Sequence, residues 1–170
     1  MTDDDDLAQT AAPTIDGARF RQVMGHFCTG VTVVAAVADG QPVGLTLQSF
    51  TSLSLDPPLV SVAVGRGSST WPVIRETGSF VVNVLSDEQE AVARRFATSG
   101  LDKFQGVGWV PSPSGAPILN DVLAWVDCRI EGEHEAGDHV LVVARVLDLG
   151  VGGEGGPLLF YRGGFGRFEP

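Results

Sequence analysis

Residues 31–37 are almost continuously apolar over a stretch too short for a helix, which predicts a strand buried on both faces. Asp39-Gly40 follows as a turn signal, so this strand is expected to hairpin into one beginning at Val43. The second strand runs to Ser54 and sets Thr46, Ser49, Thr51, Ser52 and Ser54 among Leu45, Leu47, Phe50, Leu53 and Leu55. One of its faces can pack on a core while the other offers donors and acceptors to a polar ligand. Asp56-Pro57-Pro58 stops it, because neither proline can donate to a ladder, and residues 59–64 form the next strand.

The spacing of Phe20, Val23, Met24 and Phe27 gives one apolar helical face behind a candidate N-cap, Asp16. That face is expected to close over one end of the core, with Gly30 ending the helix. Ser69 or Thr70 is placed to cap a short helix through Pro72, Ile74 and Arg75, terminated by Gly78. Ser86 and Gln89 match a capping box for a helix over residues 87–97, with Ala91, Val92 and Phe96 facing inward.

Residues 80–85 read as a buried strand interrupted by Asn83. Over residues 124–131 the alternation is clear, with Val126, Cys128 and Ile130 on one face and Asp127, Arg129 and Glu131 on a wet one. Gly137-Asp138 turns the chain into residues 140–149, an apolar strand with almost no polar face, and a partner subunit is its simplest cover. A last strand occupies residues 158–161. Many short strands with a few helices predict a barrel or sandwich decorated with helices.

Composition narrows the partners. A length of 170 residues supports one domain, over 15–170, behind an acidic, flexible tail at 1–14. A formal charge of -10 argues against nucleic acid or an anionic membrane surface. No apolar run reaches a membrane span and the acidic N-terminus does not resemble a signal peptide, so a cytoplasmic address is expected. Cys28 and Cys128 lie in apolar surroundings and read as small core residues.

Familiar catalytic signatures are missing. The run Gly65-x-Gly67-x-x-Thr70 follows a strand and precedes a helix, but lacks the third glycine of a dinucleotide fingerprint. Lys103, the lone lysine, is followed by Phe104, so there is no Walker loop, and the histidines and cysteines have no zinc spacing. What remains is a binding constellation for a phosphorylated, partly aromatic ligand. Its ring would lie on the hydroxyl-rich strand and its phosphate among Ser68, Ser69, Thr70 and a cation. On the residues alone, these hydroxyls serve equally well as turn and cap partners. His139 stands at a hairpin tip beside Asp138.

Taken together, several blocks resemble the short-chain flavin reductases, the reductase components of two-component flavin-dependent monooxygenases. They are Gly-Val-Thr-Val-Val from Gly30, Gly-Leu-Thr-Leu-Gln-Ser-Phe-Thr-Ser from Gly44, Phe-Val-Val-Asn-Val-Leu from Phe80, Asp-Lys-Phe from Asp102, Gly-Asp-His from Gly137 and Pro-Leu-Leu-Phe-Tyr from Pro157. The resemblance implies a mainly β fold, a split β-barrel with a few flanking helices, that forms a homodimer and binds FMN or FAD. It places Thr46, Leu47, Gln48, Ser49 and Ser52, with Ala63, along the flavin ring. Gly67, Ser68, Ser69, Thr70, Lys103 and Phe104 fall on the phosphate side, and His139 beside the nicotinamide of NADH, positioning it without acid–base duty. The implied activity is hydride transfer from NADH to flavin, with the reduced flavin passed to a separate monooxygenase. A non-catalytic flavin carrier on the same barrel is the alternative. The opening and ending look most like reductases of aromatic or steroid-ring catabolism in actinobacteria, except that Phe165 stands where many relatives have tyrosine.

Overall fold

The computed structural model describes residues 14–100 and 102–168; most of the acidic tail therefore lies outside the described residues. Asp16 caps α1 (Gly17–Met24), its carboxylate accepting the amides of Ala18 and Arg19 at 3.3 Å each. The helix ends at Gly25 rather than Gly30, and none of its residues is buried. Phe20, Val23 and Met24 are 54%, 61% and 51% exposed, so the apolar face does not close over the core. The reason lies downstream: Gly30, expected as the helix stop, belongs to β1 (Thr29–Gly30), which pairs with a C-terminal strand.

Next come β2 (Thr32–Ala38) and β3 (Gln41–Leu47), joined by Asp39 and Gly40 with positive φ at both. The expected single strand from Val43 to Ser54 is in fact broken. The chain leaves β3 at Leu47 and resumes pairing as β4 (Thr51–Leu55), which hairpins into β5 (Pro58–Gly65). A short helix, α2 (Trp71–Thr77), ends at Gly78 in the left-handed conformation and leads into β6 (Ser79–Val84). The capping box of Ser86 and Gln89 is present, and opens a 3-10 turn before α3 (Glu90–Ala97). Ala93 and Phe96 are buried there, whereas Ala91 is exposed.

The remaining strands are β7 (Trp109–Pro111), β8 (Pro117–Leu119), β9 (Ala124–Ala136), β10 (His139–Val151), β11 (Leu158–Tyr161) and β12 (Gly164–Arg167). One antiparallel sheet carries the order β3-β2-β6-β9-β10-β5-β4; β1-β11-β12 and β7-β8 form two smaller ones. The large sheet curls around a core of Val34, Val62, Val64, Phe80, Val82, Cys128 and Val142, with Trp71 and Ile74 of α2 at one end. Its two edges, β3 and β4, do not pair, so the barrel stays split. A second core, including Val33, Ala35, Val81, Phe96, Phe104 and Leu119, covers the outer face of β2 and β6. These two strands are buried twice, hence their unbroken apolar runs.

Two details depart from the alternation read in the sequence. Asp127 is fully buried, because the loop between β7 and β8 folds over it. Its carboxylate accepts the Ser114 amide at 2.8 Å and hydroxyl at 2.6 Å. On β9, a register shift opposite Val143 and Ala144 inserts an extra residue near Gly132. Beyond it the phase reverses, and Glu133 and Glu135 stand opposite Val142 and Val140, on the barrel side. Of the cysteines, Cys128 is buried and its thiol is pushed up to about 12, first by burial and then by the Asp127 charge, whereas Cys28 is exposed.

Candidate functional site

Residues 48–50 bridge the two unpaired edges of the barrel, and the site is built on that crossing. Ser49 stands in for a ladder pair: its hydroxyl donates to the Ala63 carbonyl at 2.8 Å and accepts the Ala63 amide at 2.9 Å. Thr46 donates to the Ala93 carbonyl of α3 at 2.7 Å, which ties the end of β3 to that helix. Thr32 donates to the Leu47 carbonyl at 2.9 Å. The hydroxyls of Thr46 and Ser49 thus brace the crossing, which leaves Gln48 exposed and accepting weakly from Thr29 at 3.4 Å. Ser52 sits exposed on the edge strand β4.

His139 opens β10 directly opposite Gly65, and with Thr46, Leu47, Gln48, Ser49 and Ala63 it lines a cleft of about 260 Å³. Its Nδ1 lies 2.7 Å from the Asp138 carboxylate, which fixes the ring and leaves Nε2 without a hydrogen-bond partner among the described residues. The hydrogen bond and charge of His139 hold the Asp138 carboxyl below its usual range. The structure therefore brings Thr46, Leu47, Gln48, Ser49 and Ala63 together with His139, whereas Ser52 does not line this cleft.

A second cluster gathers Thr70, Lys103 and Phe104, three of the residues expected on the phosphate side. Lys103 donates to the carbonyls of Gly44 at 3.0 Å and Phe96 at 3.1 Å, and reaches the Thr70 hydroxyl at 3.4 Å. Phe96 belongs to the last turn of α3, where carbonyls lack helical partners and attract a cation. Gly44 permits this approach, since a Cβ there would come within 2.9 Å of the Phe96 ring. Among the described residues no carboxylate pairs with Lys103, and burial holds its ammonium below the ordinary lysine value. The result is a half-buried cation facing a cleft of about 140 Å³ with Thr70 and Asp102 on its rim.

In the adjoining loop Ser68, rather than Ser69 or Thr70, bonds the start of α2, its hydroxyl accepting the Trp71 amide at 3.1 Å. Gly67 and Ser69 are exposed. Phe104 is buried edge-on against Phe96 at 4.9 Å between ring centroids, so its ring packs into the second core and anchors Lys103, while the residue still lines the cleft.

The sequence reading missed a further wall. Thr46 and Gln48 also line a cleft of about 510 Å³ with Arg94, Thr98, Phe160 and Phe165. Arg94 lies 4.7 Å above the Phe165 ring and 2.7 Å from Glu90. In the sequence this looks like an ordinary i,i+4 surface pair, and only the packing of β12 against α3 gives it a site. A further cleft, of about 590 Å³, shares no lining residue with these three. Glu88, Asp121 and Glu154 line it, with Arg167 reaching only Glu88 at 3.6 Å, a poor field for a phosphate.

Comparison with known proteins bears on these clefts. Residues 24–169 match the family model described as flavin reductase like domain. The chain is 48% identical over 160 residues to the flavin-dependent monooxygenase reductase subunit HsaB of Rhodococcus jostii, covering 94% of this chain and 82% of that one. Among solved structures it superposes on a nitrilotriacetate monooxygenase component B homologue from Mycobacterium thermoresistibile, with TM-score 0.88, 44% identity, and coverage of 90% of this chain and 87% of that one. It also superposes on the Streptomyces globisporus NADH:FAD oxidoreductase SgcE6 in complex with NAD and FAD fragments. There the TM-score is 0.85 and the identity 38%, with 94% and 98% of the two chains covered.

Proposed function

The chain belongs to the flavin reductase-like family, and from that premise we propose that it transfers hydride from NADH to FMN or FAD and supplies the reduced flavin to a separate monooxygenase component. Lys103 is the observation that carries the reading: an ammonium that donates to three neutral oxygens and, among the described residues, pairs with no carboxylate, beside a hydroxyl loop. Such a group retains its charge for an anion, and a flavin phosphate is the anion that the neighbouring ring-sized clefts would bring.

The residues fit in two parts. Thr70, Ser69 and the amide of Gly67, with Lys103, would hold the phosphate, the Ser68 amide being taken up by the Gly65 carbonyl at 3.0 Å. The crossing at Thr46, Leu47, Gln48, Ser49 and Ser52, with Ala63, would hold the ring. Bound flavin supplies the hydride-accepting ring and NADH the hydride, so the protein's tasks are proximity and orientation. His139, pinned by Asp138, orients the nicotinamide and leaves the transfer itself to the cofactors. NADH oxidation at 340 nm, without flavin, with FMN and with FAD, tests the activity. Turnover that rises with added flavin supports it, and a protein that binds flavin yet oxidises neither NADH nor NADPH is a carrier. His139→Ala is expected to raise KM for NADH by about tenfold, one positioning contact's worth, with kcat little changed. An unchanged KM would remove the histidine from the nicotinamide site.

We also propose that the active species is a homodimer. Leu141, Leu147 and Leu149 of β10 and Leu53 and Leu55 of β4 lie exposed on two strands of one sheet, on either side of β5, and are apolar side chains that a second copy would cover. Sedimentation equilibrium at micromolar protein is expected to give twice the chain mass, and a monomer there would overturn this part. No helix among the described residues is long and apolar enough to cross a membrane. The need for NADH argues for a cytoplasmic address.

A further inference from the structure

The reversed phase of β9 gives Glu133 a second set of neighbours. Because of the extra residue near Gly132, Glu133 stands at the end of the barrel where α2 plugs it. One carboxylate oxygen accepts the indole N–H of Trp71 at 2.9 Å, and the other lies 3.7 Å from the Arg75 guanidinium. Trp71 is buried, and its ring meets Phe80 edge-on at 6.0 Å between centroids. An indole N–H in such a place needs a partner, and Glu133 provides it. Trp71 is also the first residue after the loop 65–70, whose Ser68 accepts its amide.

Two further contacts join the same parts. Glu135 pairs with Arg66 at 2.6 Å, and the Arg66 amide donates to the Asp138 carbonyl at 2.9 Å. One hairpin therefore carries His139 at its tip and grips both ends of the loop lower down. We propose that Glu133 is a positioning residue: by clasping Trp71 and Arg75 it sets the loop 65–70, and hence its hydroxyls and amides, at a fixed place relative to Lys103 and His139. This rests on the reading that the loop holds the flavin phosphate. Glu133 itself touches neither cofactor.

Flavins with and without a phosphate separate the two ideas. Kd for FMN and for lumiflavin, which has the ring alone, would be measured by fluorescence titration, together with the thermal midpoint. The variants are Glu133→Leu, Glu133→Gln and Trp71→Phe. Wild type is expected to prefer FMN. Glu133→Leu and Trp71→Phe should each raise Kd for FMN by about fivefold, the worth of about one hydrogen bond, with Kd for lumiflavin unchanged. Glu133→Gln, which keeps an acceptor for the indole, should retain most of the preference. The double variant should be no worse than either single one. Equal wild-type affinity for the two flavins would overturn the phosphate reading of the loop. A wild-type preference that survives intact in both single variants would overturn the role of Glu133. Equal losses for both flavins with a lower midpoint would also overturn it, by making the clasp merely structural. Should Glu133→Leu fail to fold, Trp71→Phe, which keeps an aromatic ring in the plug, decides the question alone.

Discussion

Asn83→Leu is expected to cost about 3–5 kcal/mol of stability, a large part of the roughly 5–15 kcal/mol that a domain holds in reserve. Asn83 is fully buried on β6, on the face toward the second core. Its amide donates to the carbonyls of Val33 at 3.2 Å and Pro117 at 3.1 Å, and its oxygen accepts the Leu119 amide at 2.9 Å. One side chain thereby pins β8 onto the sheet beside β2. Leucine shares the branched shape, with greater bulk, but makes none of these bonds, so the substitution takes a partner from two carbonyls and one N–H where water cannot reach them. Each such group costs about 1–3 kcal/mol, and partial relaxation of the short β7–β8 ribbon keeps the total below the sum. Urea unfolding would show the loss as a lower midpoint with an unchanged slope. A destabilisation under about 1 kcal/mol would mean that the ribbon is already loosely held.

Asn83 marks where the sequence was readable and where it was not. Its polarity inside the apolar run over residues 80–85 was plain, but its partners come from segments 34 to 50 residues away. The twice-buried β2 and β6 were visible as continuous apolar runs, because both faces of each meet a core. The hairpins at Asp39-Gly40 and Gly137-Asp138 were visible because turns are local chemistry. The break between β3 and β4 was not, since alternation of hydroxyl and apolar residues continues through it. What interrupts it is the split of the barrel, a property of the whole sheet. Asp127 misled in the opposite sense: an acid on an alternating strand reads as wet, and only the loop that Ser114 carries over it makes it dry.

The candidate site divides in the same way. The Thr46–Ser49 segment, the hydroxyl loop and Lys103 could be singled out by composition, and their resemblance to flavin reductases gave them roles. The resemblance placed Phe104 with Lys103 on the phosphate side, and the structure turns its ring into the second core, where it holds the backbone that presents the lysine. Arg94 and Phe165 needed the three-dimensional packing of α3 on β12. Glu133 needed the bulge that reverses β9, an event in register that no periodicity along one strand records.

Lys103→Met is expected to raise Kd for FMN by about 10- to 100-fold, the range set by one or two charge-assisted hydrogen bonds, while changing Kd for lumiflavin far less. Methionine keeps the length and apolar stem of the side chain, so the packing beside Phe104 survives. What is lost is the donor to Gly44, Phe96 and Thr70 and the charge itself. Lys103→Arg keeps a charge but cannot reproduce a compact ammonium among three oxygens, and should fall between the two. The pH dependence supplies an independent check. Burial lowers the lysine's pKa, so the folded chain releases this proton before the unfolded one does. The charged ammonium therefore weighs against stability below its folded pKa, and that penalty disappears as pH rises past it. Phosphate binding has the opposite sign, because it requires the ammonium that alkaline pH removes. Wild-type affinity for FMN should thus decline toward alkaline pH while stability does not, and Lys103→Arg should hold its affinity over the same range. Similar losses for FMN and lumiflavin in Lys103→Met would make the lysine a brace for Gly44 and α3, and the phosphate would have to be sought elsewhere on the barrel.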